Sequence, residues 1–255
     1  MNEQAVVVQG KLHGATDAVV FLPPAGSVAS PFFPVGEHLP QNLPALHCEL
    51  PGRGRLAHDT APSSVSAAAD RWAGDLTALL PYGRRLHLFG HSLGALLAYE
   101  LAARLETHPQ FTIAGLSVSG AQDPGSTPRT AVAAAFEALH RGRPAGARDA
   151  GDEANWLAQD LRMRREHHVT RRTVRAPLAL FCGDSDPFAR PADMAQWASF
   201  TTGPLLGTFT FPGGHDYYVS GRAAVATTIT DLAARCRGPL HTPTRPTHEG
   251  VDHDG

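Results

Sequence analysis

The sequence has few cysteines, little net charge and no long apolar run. Its three cysteines, Cys48, Cys182 and Cys236, are scattered without a C-x-x-C pair, so we predict neither a disulfide framework nor a thiolate zinc site. A net charge of −2 with 18% charged residues gives no electrostatic reason for a nucleic-acid partner or an anionic membrane surface. No stretch approaches the roughly eighteen apolar residues of a membrane-spanning helix, and the N-terminus has no basic flank. Together these absences favour a cytoplasmic protein.

Metal and cofactor signals are also missing. The chain has 14 histidines, but the adjacent pair His167 and His168 and the histidines near the C-terminus lack the i, i+4 spacing with a carboxylate that H-E-x-x-H zinc sites use. We therefore predict no metal and no cofactor. Residues 238–255 are rich in Pro, Thr, Gly and His without apolar periodicity, which predicts a disordered tail. The remaining residues, 1–237, are long enough to form one domain with a sizeable core.

Short apolar runs alternate with helical patterns along the chain. The helical patterns cover about residues 65–80, 93–105, 191–200 and 220–236. Strands that alternate with helices predict right-handed crossovers and a parallel sheet covered on both faces, which is an α/β fold. The runs with strand length and β-branched or aromatic content are residues 18–22, 45–50, 86–90, 112–119, 177–183 and 206–211.

One long segment, residues 123–174, interrupts this alternation. It contains the helical stretches "TAVAAAFEALH" and "EANWLAQDLRMRREHH", joined by the Gly- and Pro-containing linker "RGRPAGARDAGD". Because long insertions in compact domains are often active-site covers, we predict a helical lid. Its apolar residues either form the core of the lid or line an acyl chamber; they are Phe136, Leu139, Trp156, Leu157 and Met163.

The stretch "LFGHSLGALLAYELA" places a serine between two glycines where a strand gives way to a helix. A serine at such a junction can simply cap the helix. The alternative is a nucleophile elbow, G-x-S-x-G, formed by residues 90–94 with Ser92 as the nucleophile. In that case His91 is predicted to line the strand–turn junction rather than to act as the base. The elbow also requires an acid and a histidine further along the chain.

Two downstream strand ends supply these groups. The strand "LALFC" runs into "GDSDP" and the strand "GTFTF" into "PGGHDYY", so Ser92, Asp186 and His215 occur in the order Ser, Asp, His that α/β-hydrolases use. Catalytic groups of open parallel sheets lie at the carboxyl ends of strands. Asp184 competes for the acid role, but we prefer Asp186, which lies in a G-x-x-D pattern that begins at Gly183. Asp216, next to the histidine, is interpreted as a surface or capping carboxylate.

A serine nucleophile also needs backbone donors for the oxyanion. We expect one from the N–H of Leu93, at the positive end of the helix that follows the elbow. The other is expected from the loop "LPPAGSVAS". Pro23 and Pro24 have no N–H, so Ala25 is the first residue of that loop that can donate.

The segments "FLPPAGSVASPFF", "LPGRGRL", "FGHSLGALLAYELA", "FCGDSDP" and "FPGGHDYYV" together resemble the type II thioesterases. These are free-standing editing enzymes that accompany modular polyketide synthases and nonribosomal peptide synthetases. The similarity runs from about residue 18 to about residue 236. A lone G-x-S-x-G is shared with most lipases, esterases and peptidases of this fold, whereas the combination with "LPGRGRL" is more specific. One departure is Pro24, where the family usually has a histidine.

The resemblance implies an α/β-hydrolase fold and hydrolysis of a thioester between an acyl group and the phosphopantetheine arm of an acyl or peptidyl carrier protein. It implies a monomer in which Ser92 is the nucleophile, Asp186 the acid and His215 the base. Ala25 and Leu93 are then the oxyanion donors. The arginine-rich stretch "LRMRREHHVTRRTVR" is either a surface for an acidic carrier protein or a solvated helix face.

Two other function classes remain open at the level of sequence. A carboxylesterase or an acyltransferase would use the same three residues on the same fold. A catalytically silent hydrolase fold could serve as a binding module, although such a scaffold would not need the complete Ser, Asp and His set.

Overall fold

A computed structural model describes residues 3–126, 150–169 and 173–236 of the 255-residue chain. Within the helix that begins at Ala150, side chains are described from Trp156 onward. Three of the sequence predictions lie outside these residues: the first helical stretch of the insertion with Phe136 and Leu139, most of the linker "RGRPAGARDAGD", and the tail.

A seven-stranded sheet forms the centre of the fold, with the strand order β1-β3-β2-β4-β5-β6-β7. β1 pairs antiparallel with β3, and all other neighbours are parallel. The α/β prediction and its six strands are confirmed, while β1 is an additional edge strand that the sequence analysis did not assign. The strands are β1 (Val6–Gln9), β2 (Asp17–Leu22), β3 (Ala45–Cys48), β4 (Arg84–His91), β5 (Phe111–Ser119), β6 (Leu178–Gly183) and β7 (Leu205–Phe211).

Helices connect and cover these strands. They are α1 (Phe33–Gly36), α2 (Val65–Leu79), α3 (Leu93–Leu105), α4 (Ala150–Glu166), α5 (Pro191–Met194), α6 (Tyr217–Ser220) and α7 (Arg222–Arg235), with 3₁₀ helices at Gly54–Leu56 and Ala195–Phe200. The helix predicted over 191–200 is therefore one α-helical turn followed by a 3₁₀ segment. Across the three described ranges, no helix has the length and apolar content needed to cross a membrane.

The core lies on both faces of the sheet. All six residues of β2 are buried, as expected for a central parallel strand with helices on either side. Because successive side chains point to opposite faces, Val20 packs in the cluster that contains Trp72 of α2, while Phe21 packs in the cluster that contains Ile229 of α7. Because all strands except β1 run parallel, their carboxyl ends lie together along one side of the sheet.

A buried ionic cluster lies at the other end of the sheet, where β2 begins. Asp17 is 1% exposed, and its Oδ1 accepts from Arg85 Nε at 3.2 Å and is hydrogen-bonded to His87 Nε2 at 2.9 Å. Arg85 also donates to the carbonyl of Cys236, just beyond α7. Burial by itself would raise the pKa of Asp17, but the hydrogen bonds from His87, Thr16 and Arg85 outweigh it and hold that pKa well below its usual range.

This cluster predicts a specific response to acid. Because the pKa of Asp17 is lower in the folded protein than in the unfolded chain, its stabilisation is complete above the unfolded value of about 3.9 and is lost as the pH falls below it. We expect Asp17→Asn to lower the free energy of unfolding by about 3 kcal/mol at pH 7, since Arg85 then loses its buried anionic partner. Urea unfolding from pH 7 to pH 2.5 should show a constant difference between the two proteins down to about pH 4 and a narrowing difference below it. A constant difference across that range would contradict this account.

Candidate active site

Ser92 occupies a strained turn between β4 and α3. Its backbone has φ 56° and ψ −119°, and among the described residues it is the one non-glycine residue with positive φ. Such a conformation costs about 1–3 kcal/mol and persists only where the surroundings enforce it. The Ser92 N–H donates to the carbonyl of Ser119 at the end of β5, at 2.8 Å. The serine is half-buried, at the carboxyl edge of the sheet.

The two glycines of the elbow are required by close backbone contacts. A Cβ at Gly90 would lie 1.9 Å from the carbonyl oxygen of Gly94. A Cβ at Gly94 would lie 2.3 Å from the carbonyl oxygen of Leu22 and 2.8 Å from that of Pro23. The G-x-S-x-G spacing therefore lets the start of α3 pack directly against the loop that follows β2.

His215 and Asp186 are brought together from two strand ends. His215 lies after β7 and Asp186 after β6, and His215 Nδ1 is 2.9 Å from Asp186 Oδ2. The other oxygen, Oδ1, accepts the N–H groups of Phe188 at 2.8 Å and Ala189 at 3.3 Å. With its side chain fully buried, the carboxylate is held so that one oxygen faces the imidazole.

His215 also lies beside the elbow. Its ring centroid is 4.5 Å from that of His91, the residue before Ser92. A Cβ at Gly120, the residue that follows the Ser92 acceptor Ser119, would lie 3.2 Å from His215 Cε1. The ends of β4, β5, β6 and β7 thus bring the predicted serine, acid and histidine to one edge of the sheet.

The competing carboxylate, Asp184, is exposed and has a different set of contacts. Its Oδ1 accepts the N–H of Gly213 at 3.0 Å and the hydroxyl of Ser185 at 2.8 Å. The Gly213 hydrogen bond, followed by that of Ser185, lowers the pKa of Asp184. Asp184 therefore ties the loop after β6 to the loop after β7.

His91 lies behind the elbow in a polar chain. It is fully buried, and its Nδ1 is 2.8 Å from Ser119 Oγ, which is also hydrogen-bonded to the hydroxyl of Tyr217. Burial, and then the nearby His215, lower the pKa of His91 well below its usual value, so its ring is neutral at pH 7. Asp216, the other residue considered in this region, is exposed at the start of α6.

The two predicted oxyanion donors lie on the two segments that meet at Gly94: Ala25 in the loop after β2 and Leu93 at the start of α3. Ala25 and Leu93 are both buried, and neither N–H has a hydrogen-bond acceptor within the described part of the chain. The N–H of Gly26 differs, because it donates to Asp160 Oδ2 at 2.8 Å. Since Pro24 has no N–H, Ala25 is the residue of this short turn whose donor remains available.

Sequence reasoning missed a charged pair next to this turn, Arg53 and Asp160. Arg53 lies in the segment "LPGRGRL" and Asp160 lies on α4. The spacing contained a signal: Asp160 falls four residues after Trp156 and three before Met163, so it shares a face with apolar side chains. A carboxylate on the buried face of a helix must be paired. Met163 itself packs in the core.

Comparison with known proteins identifies the family. Residues 17–233 match the model of the thioesterase domain. The chain is 30% identical over 240 residues to thioesterase PikA5 of Streptomyces venezuelae, covering 86% of this chain and 82% of that protein.

Solved structures agree with this match. The type II thioesterase BorB from the borrelidin biosynthetic cluster is 25% identical with a TM-score of 0.75, covering 91% of this chain and 97% of that one. The RedJ thioesterase from the prodiginine pathway of Streptomyces coelicolor is 26% identical with a TM-score of 0.73, covering 88% and 87%. With an α/β-hydrolase sheet, a strained serine elbow and these relatives, the chain belongs to the thioesterase family.

Proposed function

We propose that this thioesterase cleaves acyl groups from the phosphopantetheine arm of carrier proteins and so removes aberrant or stalled chains during polyketide or nonribosomal peptide synthesis. Ser92 is the nucleophile, His215 the general base and Asp186 the acid that orients it. The backbone N–H groups of Ala25 and Leu93 receive the oxyanion. The family membership supports the thioester chemistry, and the named relatives from biosynthetic clusters support the carrier-bound substrate.

The observation that carries the assignment of roles is the hydrogen bond between His215 and Asp186 beside the strained Ser92 elbow. Backbone donors fix one oxygen of Asp186, and the other oxygen faces His215 Nδ1. A histidine that donates from Nδ1 to a carboxylate has its Nε2 available as a base. A serine in a turn of this kind presents its Oγ at the edge of the sheet, outside the strands.

The proposed reaction balances over two steps. Ser92 Oγ attacks the thioester carbonyl while His215 Nε2 takes the hydroxyl proton, and the Ala25 and Leu93 N–H groups bind the resulting O⁻. The tetrahedral intermediate then expels the thiol: the C–S electron pair goes to sulfur, which receives the proton from His215. Water attacks the acyl-serine while His215 takes its proton; the acyl C–Oγ bond then breaks and His215 returns the proton to Ser92 Oγ, which releases the carboxylic acid. Asp186 stabilises the imidazolium in both steps.

The setting of the reaction is part of the same proposal. We place it in the cytoplasm, a location supported by free cysteines such as Cys48 and Cys182. The working unit is taken to be the monomer, as the resemblance to the type II thioesterases implies. The insertion over 123–174 is proposed to cover the site, which the contact of α4 with the loop after β2 supports.

A comparison of three hexanoyl substrates tests this function: hexanoyl-phosphopantetheinyl carrier protein, hexanoyl-pantetheine and p-nitrophenyl hexanoate. We expect kcat/KM to be at least tenfold higher for the carrier-bound thioester than for the simple ester. The pantetheine substrate separates recognition of the arm from recognition of the carrier surface. Equal or greater kcat/KM for the ester would favour a carboxylesterase instead.

A fluorophosphonate probe tests the alternative of a silent binding module. The folded wild-type protein should form a covalent adduct at Ser92, located by peptide mass spectrometry. Absence of that adduct would contradict the proposed nucleophile and favour the silent fold. Ser92→Ala serves as the matched unlabelled control.

A further inference from the structure

A buried carboxylate of α4 contacts the loop that follows β2, which carries the proposed oxyanion donor Ala25. Asp160 on α4 is 1% exposed, and its Oδ2 accepts both the Gly26 N–H and Arg53 Nη1, each at 2.8 Å. Its Oδ1 accepts Arg53 Nη2 at 2.7 Å. The two side chains thus form a two-point ion pair beneath the loop that follows β2, with both charges removed from water.

The Gly26 hydrogen bond determines how this loop presents its donors. Gly26 has φ +79°, a left-handed conformation that glycine adopts readily. Its N–H belongs to the peptide group that joins Ala25 to Gly26, so the bond to Asp160 fixes that group on one side of Ala25. Rotation of this peptide group would break a charge-assisted hydrogen bond. With the Gly26 donor directed at Asp160, the Ala25 N–H is left for the substrate oxygen.

Arg53 keeps the carboxylate in that orientation. Its two terminal nitrogens bind both oxygens of Asp160, so the carboxylate cannot turn away from Gly26 without losing one of them. The guanidinium is held in turn by its Nη1 contact to the carbonyl of Ser27 at 3.4 Å and by the ring of Trp156, 5.7 Å away. Gly54 lets this turn approach the loop, since a Cβ there would lie 2.8 Å from the carbonyl oxygen of Val28.

We propose that Asp160 and Arg53 are positioning residues that hold the Ala25 N–H in place for the oxyanion. This inference rests on the proposed function, in which Ser92 forms a tetrahedral intermediate. The inference gives α4 a second role besides the proposed covering of the site, because this helix also fixes the orientation of the Ala25 N–H. The pair acts on the transition state rather than on substrate binding, since neither side chain is free to contact the substrate.

Two substitutions separate the hydrogen bond from the charge. Asp160→Ala removes the acceptor of the Gly26 N–H, and we expect kcat for hexanoyl-N-acetylcysteamine to fall about 100-fold with KM changed less than threefold, as for a weakened oxyanion donor. Asp160→Asn can place its amide oxygen where Oδ2 stands and so keep both the Gly26 and the Nη1 hydrogen bonds, while its NH₂ replaces Oδ1 and loses only the bond from Arg53 Nη2. We expect it to lose less than tenfold in kcat.

Inhibitor binding distinguishes positioning from a merely structural role. Hexylboronic acid forms a tetrahedral adduct with the serine that places an oxygen in the oxyanion site. The affinity for hexanoyl-N-acetylcysteamine, measured in proteins that also carry Ser92→Ala, reports ground-state binding. For Asp160→Ala, the affinity for the boronic acid should fall by the same factor as kcat/KM. Ground-state affinity should stay within threefold of the value without the Asp160 substitution. Equal losses for both ligands would overturn the positioning role.

Asp17→Ala is the matched control, because it also removes a buried, arginine-bound aspartate, but at the opposite end of the sheet. It should lower the melting temperature to a similar extent and leave kcat within about threefold. If Asp160→Ala does not fold, Arg53→Lys replaces it, because this change keeps the charge and loses the two-point contact. Its kcat and its affinity for the boronic acid should fall by the same factor.

The outcomes of this experiment separate the two proposals. A wild-type protein that neither hydrolyses the thioester nor labels at Ser92 would defeat the proposed function itself. An active wild type with wild-type kcat in Asp160→Ala would overturn only the role of Asp160 and Arg53.

Discussion

Ser92→Ala is expected to abolish thioester hydrolysis while the protein remains folded. Without the hydroxyl, acyl transfer to the enzyme is impossible, and only binding and the oxyanion donors can still accelerate hydrolysis. Loss of a catalytic serine of this kind lowers kcat by about 10⁵–10⁶-fold. The fold should tolerate the change, since the backbone of residue 92 is held by its N–H bond to Ser119 and its side chain caps no backbone group of α3.

Steady-state hydrolysis of hexanoyl-pantetheine, together with thermal unfolding, measures this effect. Ser199→Ala provides the control, because Ser199 is an exposed serine on the 3₁₀ helix Ala195–Phe200, where its hydroxyl donates to the carbonyl of Gln196. It should retain wild-type activity. If Ser92→Ala kept more than about a tenth of the wild-type kcat, another residue would have to be the nucleophile.

Asp186→Asn is expected to lower kcat by about 10⁴-fold, as for a catalytic aspartate that fixes the histidine tautomer. The hydrogen bonds around Asp186 determine which way the new amide must point. The N–H groups of Phe188 and Ala189 point at Oδ1, so the amide oxygen of the substituted side chain must take that position. The amide NH₂ then faces His215 Nδ1, which can only accept, and the ring proton moves to Nε2. A histidine protonated there cannot act as the base toward Ser92.

Asp184→Asn is the matched comparison, because it changes a neighbouring aspartate in the same turn. Its amide oxygen can still accept the N–H of Gly213, so the two loops should remain tied and kcat should change less than tenfold. Values of kcat for both variants with the same thioester substrate, measured from pH 6 to pH 9, show which aspartate matters more. If Asp184→Asn lost more activity than Asp186→Asn, the acid role would belong to Asp184.

The linear sequence alone determined a large part of this fold. Buried parallel strands are largely continuous apolar runs, so β2 and β6 are recognisable without their neighbours. Local sterics likewise favour the elbow, since Gly90 must lack a Cβ for the turn to close, whereas Gly94 must lack one for α3 to pack against the loop after β2. The order of Ser92, Asp186 and His215 along the chain, each after a strand, predicted their convergence at one edge of the sheet, where the structure places them.

Edge pairing and long-range polar contacts were decided only by the tertiary structure. β1 is a four-residue strand whose antiparallel pairing with β3 depends on an open sheet edge that no local pattern reveals. His91, Ser119 and Tyr217 form their chain because β4, β5 and α6 meet behind the elbow.

The pair of Arg53 and Asp160 is the clearest example of this limit. The two residues are 107 positions apart, and a sequence shows only that each carries a charge. A buried face on α4 requires Asp160 to have a partner, but which partner it finds depends on how the helix packs over the turn at Gly52–Gly54. Periodicity is a local property of the chain, whereas the pairing of buried charges follows from packing. Here packing connects α4 to the loop after β2.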